Sequence, residues 1–283
     1  MEPELVAGCD AGQLDRLREL AGRLWGWSSR WHPGELSAFW WEHGGPLPSW
    51  RVATWVRGGR TVAWAWSRYP GRLDLQLDPA HLDLLPRVLA WPQDEPSQAI
   101  TVLDAESALL DALTGWEPAA GGTDVVHLRR DLREVEQAAV PAGFVLRPVR
   151  GTEDAQARGA VHARAFGAPA ADYAAVMGAP GYRPRLDQMV VAPDGTPAAF
   201  CLAWLDEVSG VVALEPVGTD PRFRRRGLAR AAVLGALAAA AALGATHARV
   251  CARDDPGAPG ARATYESVGF RRYARNVRLV RPA

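Results

Sequence analysis

The amino-acid sequence predicts an α/β protein that contains two copies of one folding plan. Residues 144–280 alternate between strand-like and helix-like segments, and residues 13–113 repeat a weaker version of the same order. Residues 133–143, between these two series, lack a sustained apolar periodicity. We therefore expect a first domain at 1–132, a linker at 133–143 and a second domain at 144–283. The chain is 283 residues long and 48% hydrophobic, which suits two core-forming domains.

The second half supplies the clearer series of elements. Thr152, followed by two acidic residues, predicts the N-cap of a helix, and Asp194-Gly195 between two apolar runs predicts a hairpin. A long alanine-rich helix is expected to stop at Gly244. The predicted order is strand 144–148, helices 152–166 and 170–177, strands 188–192, 198–205 and 211–219, helix 228–243, strand 246–251, a helix around Tyr265 and strand 270–280.

The first half repeats this order with weaker signals. Gly58-Gly59 joins two strand-like runs. The next strand ends at Pro79, and this proline corresponds to Pro221, which follows the strand 211–219 in the second half. Gly115-Trp116 stands where the second half has Gly269-Phe270. The predicted elements are helices 13–25 and 35–43, strands 51–56, 61–69 and 73–79, helix 81–91, strand 99–103 and helix 106–113.

Eleven of the twelve tryptophans lie at or before Trp116. One interpretation is that these bulky side chains fill the core of the first domain and its face toward the second. The other is that some of them line an aromatic acceptor pocket together with Trp204 of the second half.

The run Arg224-Arg225-Arg226-Gly227-Leu228-Ala229 predicts an anion site because it lies between a strand and a long helix. A helix N-terminus leaves N–H groups unpaired and carries a partial positive charge, and Gly227 allows the backbone to approach a diphosphate. Taken alone, the run has a second interpretation as a solvated basic surface.

Two motifs of the second half resemble those of one enzyme superfamily. Arg-x-x-Gly-x-Ala at 224–229, with Pro221 ahead of it, resembles the acetyl-CoA pyrophosphate loop of the GNAT N-acetyltransferases. Residues 261–270 resemble the A-x-x-x-Y-E-x-x-G-F segment of the same superfamily. The resemblance implies two tandem GNAT folds, each a mixed, mostly antiparallel sheet flanked by helices.

The resemblance also implies an activity. Acetyl-CoA would be the co-substrate, and the acetyl group would pass to the primary amine of a small molecule by direct attack within a ternary complex. A non-catalytic acyl-CoA-binding module and a protein or peptide N-acetyltransferase stay open as alternatives. The first copy has no such loop after Pro79 and has Asp111 at the position of Tyr265, so we expect it to be degenerate.

Site residues follow from the same resemblance. Tyr265 would be the general acid that protonates the departing thiolate. Ala258 departs from the pattern, since many relatives have an asparagine there. The implied cofactor-binding residues are Val217, Gly218, Thr219, Arg224, Arg225, Arg226, Gly227, Leu228 and Ala229.

A general base must also accept the proton of the amine. Glu215, on the strand that precedes the loop, is the preferred candidate, with Asp206 and Glu207 as rivals. A structural carboxylate paired with a loop arginine is an equally open interpretation of Glu215. We expect His162 and His247 to be hydrogen-bonded or exposed residues without a catalytic role.

Composition limits the remaining functional classes. The chain has 32 basic residues, all of them arginine, and 32 acidic residues, so its formal net charge is zero. Residues 1–140 carry 13 arginines against 20 acidic residues, and residues 141–283 carry 19 against 12. This balance argues against a nucleic-acid partner, and no stretch predicts a membrane segment or a metal site. Three scattered cysteines indicate reduced thiols, and we expect a cytoplasmic protein; the oligomeric state is not predicted.

Overall fold

The first half of the chain forms a sheet with helices on its faces. The computed structural model describes residues 2–42, 44–91, 99–121, 125–167, 172–254 and 260–281. The elements of the first half are β1 (Glu4–Ala7), α1 (Ala11–Arg23), α2 (Pro33–Trp41), β2 (Arg51–Arg57), β3 (Arg60–Tyr69), β4 (Arg72–Leu77), a 3₁₀ turn (Pro79–Leu84), α3 (Leu85–Leu89), β5 (Ala99–Leu103), α4 (Ser107–Ala112), β6 (Glu117–Pro118) and β7 (Val125–Asp131).

The second half repeats the order of the first, except that the short strand β6 has no counterpart in it. Residues 132–144, which include the predicted linker, contain neither helix nor strand. The elements that follow are β8 (Val145–Pro148), α5 (Ala155–Phe166), α6 (Tyr173–Met177), β9 (Asp187–Val191), β10 (Pro197–Asp206), β11 (Val211–Thr219), α7 (Leu228–Ala242), β12 (His247–Arg253), α8 (Gly260–Ser267) and β13 (Arg271–Val280).

The strands of both halves join in one continuous sheet. Their order is β1-β2-β3-β4-β5-β13-β7-β12-β11-β10-β9-β8, with β6 beside β13. Among the described residues, β4–β5 and β11–β12 are the parallel pairs, and the other pairs are antiparallel. The mixed, mostly antiparallel fold with flanking helices is therefore confirmed for both halves. The sequence did not predict that the halves exchange their last strands: β7 pairs with β12, and β13 pairs with β5.

A matching ion pair marks the internal repeat. At the end of β4, Asp78 accepts a hydrogen bond from Arg23 Nη1 at 2.6 Å, and Arg23 lies in the last turn of α1. At the end of β11, Asp220 accepts one from Arg164 Nε at 2.6 Å, and Arg164 lies in the last turn of α5. Both aspartates precede a proline that opens a 3₁₀ turn. The predicted correspondence of Pro79 and Pro221 is therefore present in the structure.

The tryptophans of the first half mainly build its core. Five of them form one cluster with leucines of α1 and α2, with pairs of rings in edge-on contact. These five are Trp31, Trp40, Trp50, Trp64 and Trp66. The core of the second half has smaller residues, because four of the eight buried residues of α7 are alanines.

Two local predictions were wrong. Thr152 does not cap a helix: residues 151–154 form a 3₁₀ turn, α5 begins at Ala155, and the Asp154 carboxylate accepts hydrogen bonds from Arg147 instead. The helix predicted at 81–91 is a 3₁₀ turn followed by the five residues of α3. Pro86 lacks the N–H that a helix running through this position would need. The beginning of the helix predicted at 170–177 lies outside the described residues.

Candidate active site

A gap opens between β11 and β12, and the candidate site lies around it. The two strands pair from Val211–His247 to Ala213–Arg249 and, among the described residues, no further. Beyond this point β11 stays paired with β10 while β12 stays paired with β7. One side of the β11 backbone from Leu214 onward therefore faces the gap and is not used by a neighbouring strand.

The bend of β11 away from β12 coincides with a bulge at Glu215 and Pro216. Cys201 lies opposite Val217 and Ala203 lies opposite Leu214, so β11 has one residue more than β10 in this interval. Pro216 follows a cis peptide bond and cannot donate a ladder hydrogen bond. The bulge places the Glu215 carbonyl within 2.8 Å of the Trp204 indole Nε1, which donates to it.

The loop after β11 is held by Asp220, which the sequence analysis did not single out. Its carboxylate is almost fully buried and accepts hydrogen bonds from Arg164 and from the backbone and side chain of Arg222. The bonds from Arg222 hold the pKa of Asp220 well below its usual range, so the carboxylate stays charged. An Asp-Pro step directly after a strand is the signal that could have identified it.

The backbone of the loop has the shape of an anion-binding cradle. Arg225 and Gly227 have φ angles of 65° and 75°, in the left-handed region that favours glycine. The backbone N–H groups of residues 225–230 make no hydrogen bond to the described residues. Successive N–H groups around left-handed residues at a helix N-terminus suit phosphate oxygens, and the exposed guanidinium groups of Arg224, Arg225 and Arg226 add positive charge. The predicted loop residues thus fit a diphosphate.

Tyr265 lies on α8, on the side of the gap formed by β12. Its side chain is buried, with its ring 5.9 Å from that of Phe270. Burial raises the pKa of Tyr265 well above its ordinary value, and the negative charge of Glu215 acts in the same direction. The phenol therefore keeps its proton at neutral pH. Ala258, which departs from the expected pattern, lies outside the described residues.

Glu215 lies on the opposite side of the gap and is half-buried. Burial raises the pKa of Glu215 to about 8, and the carboxylates of Glu42 and Glu35 contribute. The two rival carboxylates, Asp206 and Glu207, lie at the end of β10 and in the turn to β11. Asp206 accepts hydrogen bonds from Ser209 in the turn to β11, and Glu207 pairs with Arg183. The negative charge of Glu215 thus acts on Tyr265, whereas Asp206 and Glu207 are engaged at the turn between β10 and β11.

A small cavity lies beside Pro216 and contains residues from both halves of the chain. It is a shallow recess that encloses about 10 Å³ and is partly open to solvent. The wall is mostly apolar, with Glu42 and His162 as polar members. The lining residues are Ala38, Glu42, His162, Tyr173, Val176, Leu202, Trp204 and Pro216. Trp204 is the one tryptophan in this lining, so the structure supports the core interpretation for most of the others.

Two residues of this cavity were missed or discounted in the sequence. His162 is distant from the loop in the chain, but α5 packs against β10 and β11 and places the His162 ring 5.8 Å from that of Phe200. Glu42 follows the last turn of α2, a helix of the first half that packs on β10 and β11. A single sequence contains no signal that would bring a first-half helix to this strand.

A buried ion pair fixes α2 in this position. Arg249 of β12 is fully buried and its Nη2 donates to the Glu35 carboxylate of α2 at 2.8 Å. The same nitrogen lies 2.8 Å from Nδ1 of His127 on β7. Since an unpaired buried charge is strongly unfavourable, these contacts join α2 to the second half.

The corresponding region of the first half has no comparable loop. β4 and β5 pair for only two residues, Arg72–Ala99 and Leu73–Ile100, and then separate in the same manner. The turn that follows β4 leads into the five-residue α3 without a glycine, and Asp111 is exposed on α4. The first copy therefore repeats the fold without the residues of the anion cradle.

Neither a membrane-spanning helix nor a metal cluster is found in the part of the chain that the structure describes. None of its helices combines the length and the apolar composition that a membrane crossing needs. None of its His, Cys, Asp and Glu side chains form a group of three or more that could hold a metal ion.

Comparisons with known proteins identify the same region of the chain. Residues 164–270 match the model of the acetyltransferase (GNAT) family. This range includes the β11 strand, the loop, α7 and α8. Among curated protein sequences, none matches the chain.

Solved structures match over almost the whole chain. A GCN5-related N-acetyltransferase from Sphaerobacter thermophilus is 18% identical, with a TM-score of 0.61 over 100% of this chain and 98% of that one. A GNAT-family acetyltransferase from Colwellia psychrerythraea is 15% identical, with a TM-score of 0.67 over 99% and 100%. A tandem GNAT protein from the clavulanic acid biosynthesis pathway is 16% identical, with a TM-score of 0.62 over 98% of each chain. At these identities the likeness shows the fold.

Proposed function

We propose that this chain, whose residues 164–270 belong to the acetyltransferase (GNAT) family, transfers an acetyl group from acetyl-CoA to the primary amine of a small molecule. The observation that carries the proposal is the gap between β11 and β12, which has the anion cradle at its end and Glu215 and Tyr265 on its two sides. The reaction would be a direct attack within a ternary complex.

Binding of acetyl-CoA would use backbone groups more than side chains. The N–H groups of residues 225–230 would hold the diphosphate, with the loop arginines adding charge-assisted hydrogen bonds. The pantetheine arm would lie along the free side of Val217, Gly218 and Thr219. Gly218 is required by packing, because a Cβ there would come within 2.5 Å of the Phe200 ring.

The chemistry needs one proton acceptor and one proton donor. A primary ammonium gives a proton to Glu215, whose raised pKa near 8 suits a transfer at neutral pH. The amine nitrogen then attacks the thioester carbonyl, a C–N bond forms and the C–S bond breaks. Tyr265 gives its proton to the departing sulfur and takes the second proton from the new amide nitrogen, and Glu215 releases the first proton to solvent. A backbone N–H of β11 facing the gap would stabilise the negative charge on the carbonyl oxygen.

The cavity beside Pro216 supports a small acceptor. Its apolar wall suits the carbon skeleton of a compact amine, and the Glu42 carboxylate would attract the ammonium form. Since Glu42 and Ala38 come from α2, the first half would select the acceptor while the second half holds acetyl-CoA.

The test measures thiol release from acetyl-CoA with a panel of small primary amines, together with acetyl-CoA binding by calorimetry. We expect one acetyl-CoA site per chain, turnover with at least one amine, and loss of turnover in Glu215→Gln at unchanged acetyl-CoA affinity. Glu207→Gln is the matched control, because the Glu207 carboxylate pairs with Arg183 away from the gap. Binding without turnover for any small amine or peptide would instead favour a non-catalytic acyl-CoA-binding module.

A further inference from the structure

A second cavity lies in the first half, at the beginning of β4, and its lining is strongly basic. It encloses about 130 Å³ and is partly open to solvent. Four arginines line it, with Asp74 as the one acidic member of the lining. The arginines are Arg30, Arg68, Arg72 and Arg278. The position differs from that of the anion cradle, which follows the end of β11, the counterpart of β4.

Two of the arginines, Arg30 and Arg68, are fixed in position by hydrogen bonds to the Asp74 carboxylate. Arg68 donates to Asp74 Oδ2 through Nε at 3.0 Å and Nη2 at 2.7 Å, and Arg30 Nη1 donates to Oδ1 at 3.0 Å. Each guanidinium also stacks on an aromatic ring, Arg30 at 4.1 Å from the centroid of Trp31 and Arg68 at 4.6 Å from that of Phe39. Their side chains are therefore pre-organised.

These two arginines keep hydrogen-bond donors for a ligand. Nε and Nη2 of Arg30, and Nη1 of Arg68, make no hydrogen bond to the described residues, although both side chains border the cavity. A rigid fork of N–H groups matches the oxygens of a carboxylate or a phosphate.

The cavity is positively charged, whereas the first half of the chain, in which it lies, carries a net negative charge. Residues 1–140 carry a net charge of −7, from 13 arginines against 20 acidic residues, yet three of these arginines meet here. The fourth, Arg278, comes from β13, which reaches this place because the halves exchange strands. Arg72 and Arg278 are exposed and form no ion pair with the described residues. Against four positive charges Asp74 supplies one negative charge, so the cavity keeps an excess of three.

We propose that this cavity binds the oxyanion group, phosphate or carboxylate, of a small molecule. Arg30 and Arg68 would bind its oxygens directly, and Arg72 and Arg278 would contribute charge at the mouth. The proposal does not depend on the acetyl-transfer reaction, since none of these residues belongs to the loop or to the gap.

The experiment measures binding of inorganic phosphate and of citrate to the full chain by calorimetry at constant ionic strength. It uses the Gly227→Val background, so that the cradle at the end of β11 does not contribute. We expect one site per chain, with an affinity about tenfold lower in Arg278→Ala and in Arg72→Ala. Arg271→Ala is the control, because Arg271 is an exposed arginine on the same strand, outside the cavity.

The two probes distinguish the source of the oxyanion. Tighter binding of phosphate assigns a phosphate ligand, and tighter binding of citrate assigns a carboxylate; either supports the proposal. Absence of binding by both probes, or equal affinities in Arg278→Ala, Arg72→Ala and Arg271→Ala, would overturn it.

Discussion

The Glu215 carboxyl should make the stability of the protein depend on pH, and this can be tested without knowing the acceptor. The perturbation is Glu215→Gln, which removes the ionisation and keeps the shape of the side chain. Burial raises the pKa of Glu215 from 4.5 to about 8 in the folded protein, with the charge of Glu42 as the next contribution. The stabilisation from this group is complete below pH 4.5 and is lost as the pH rises through 8.

The magnitude follows from the two pKa values. Between pH 6 and pH 8 the unfolded chain has already lost this proton while the folded protein mostly retains it, which costs about 1.4 kcal/mol per pH unit. The pH dependence of the free energy of unfolding flattens near pH 8. Wild type should therefore lose roughly 2 kcal/mol of unfolding free energy relative to Glu215→Gln between pH 6 and pH 8. This is an upper value, because Glu215 is half-buried and solvent screens part of the penalty.

Urea or thermal unfolding of both proteins at several pH values measures this difference. We expect the melting temperature of wild type to fall by about 3 °C relative to Glu215→Gln between pH 6 and pH 8. Glu42→Gln should reduce the fall, because it removes a charge that raises the pKa of Glu215. Glu207→Gln, which changes an exposed carboxylate paired with Arg183, should behave as wild type. Parallel stability curves for wild type and Glu215→Gln would refute the assignment.

Three further substitutions test the loop, the phenol and the contact between the halves. Gly227→Val should abolish acetyl-CoA binding in calorimetry, whereas Gly195→Val, at a similar φ in a remote hairpin, should only destabilise the fold. Tyr265→Phe should keep acetyl-CoA affinity and slow acetyl transfer by on the order of 10²- to 10⁴-fold when chemistry limits turnover; an unchanged rate would make Tyr265 a packing residue. Gly34→Ala should cost about 1–3 kcal/mol of stability, because its Cβ would lie 2.6 Å from Trp204 Cβ, and Gly26→Ala, which meets no atom within 4 Å, should not.

The second half could be predicted almost completely because its signals are local. The strand at 211–219 has the predicted bounds, and the helix predicted at 228–243 ends one residue earlier, at Ala242. Gly227 and Gly244 explain this accuracy, since left-handed residues at both ends leave little freedom in where α7 begins and stops. Short elements without such signals were less predictable. β1 and β7 were missed entirely, and the 3₁₀ turns at 79–84 and 151–154 were taken for helix.

The candidate site was predicted only where it depends on one stretch of chain. Gly227, Tyr265 and Glu215 could be chosen from motifs and from position on a strand. His162, Glu42 and the Glu35–Arg249 ion pair could not, because each depends on which helix packs on which strand across a long separation in sequence.

The exchanged strands limit how the two halves can be studied separately. A cut between 132 and 144 would remove β7 from its place between β13 and β12, leaving both strands of the second half without that partner. It would also remove Glu35 from Arg249, a fully buried cation. Failure of a 144–283 fragment to fold would thus reflect lost strand pairing and an unpaired charge, whether or not the first half selects the acceptor. Point substitutions in α2, such as Gly34→Ala and Glu42→Gln, leave the sheet intact and separate the two roles.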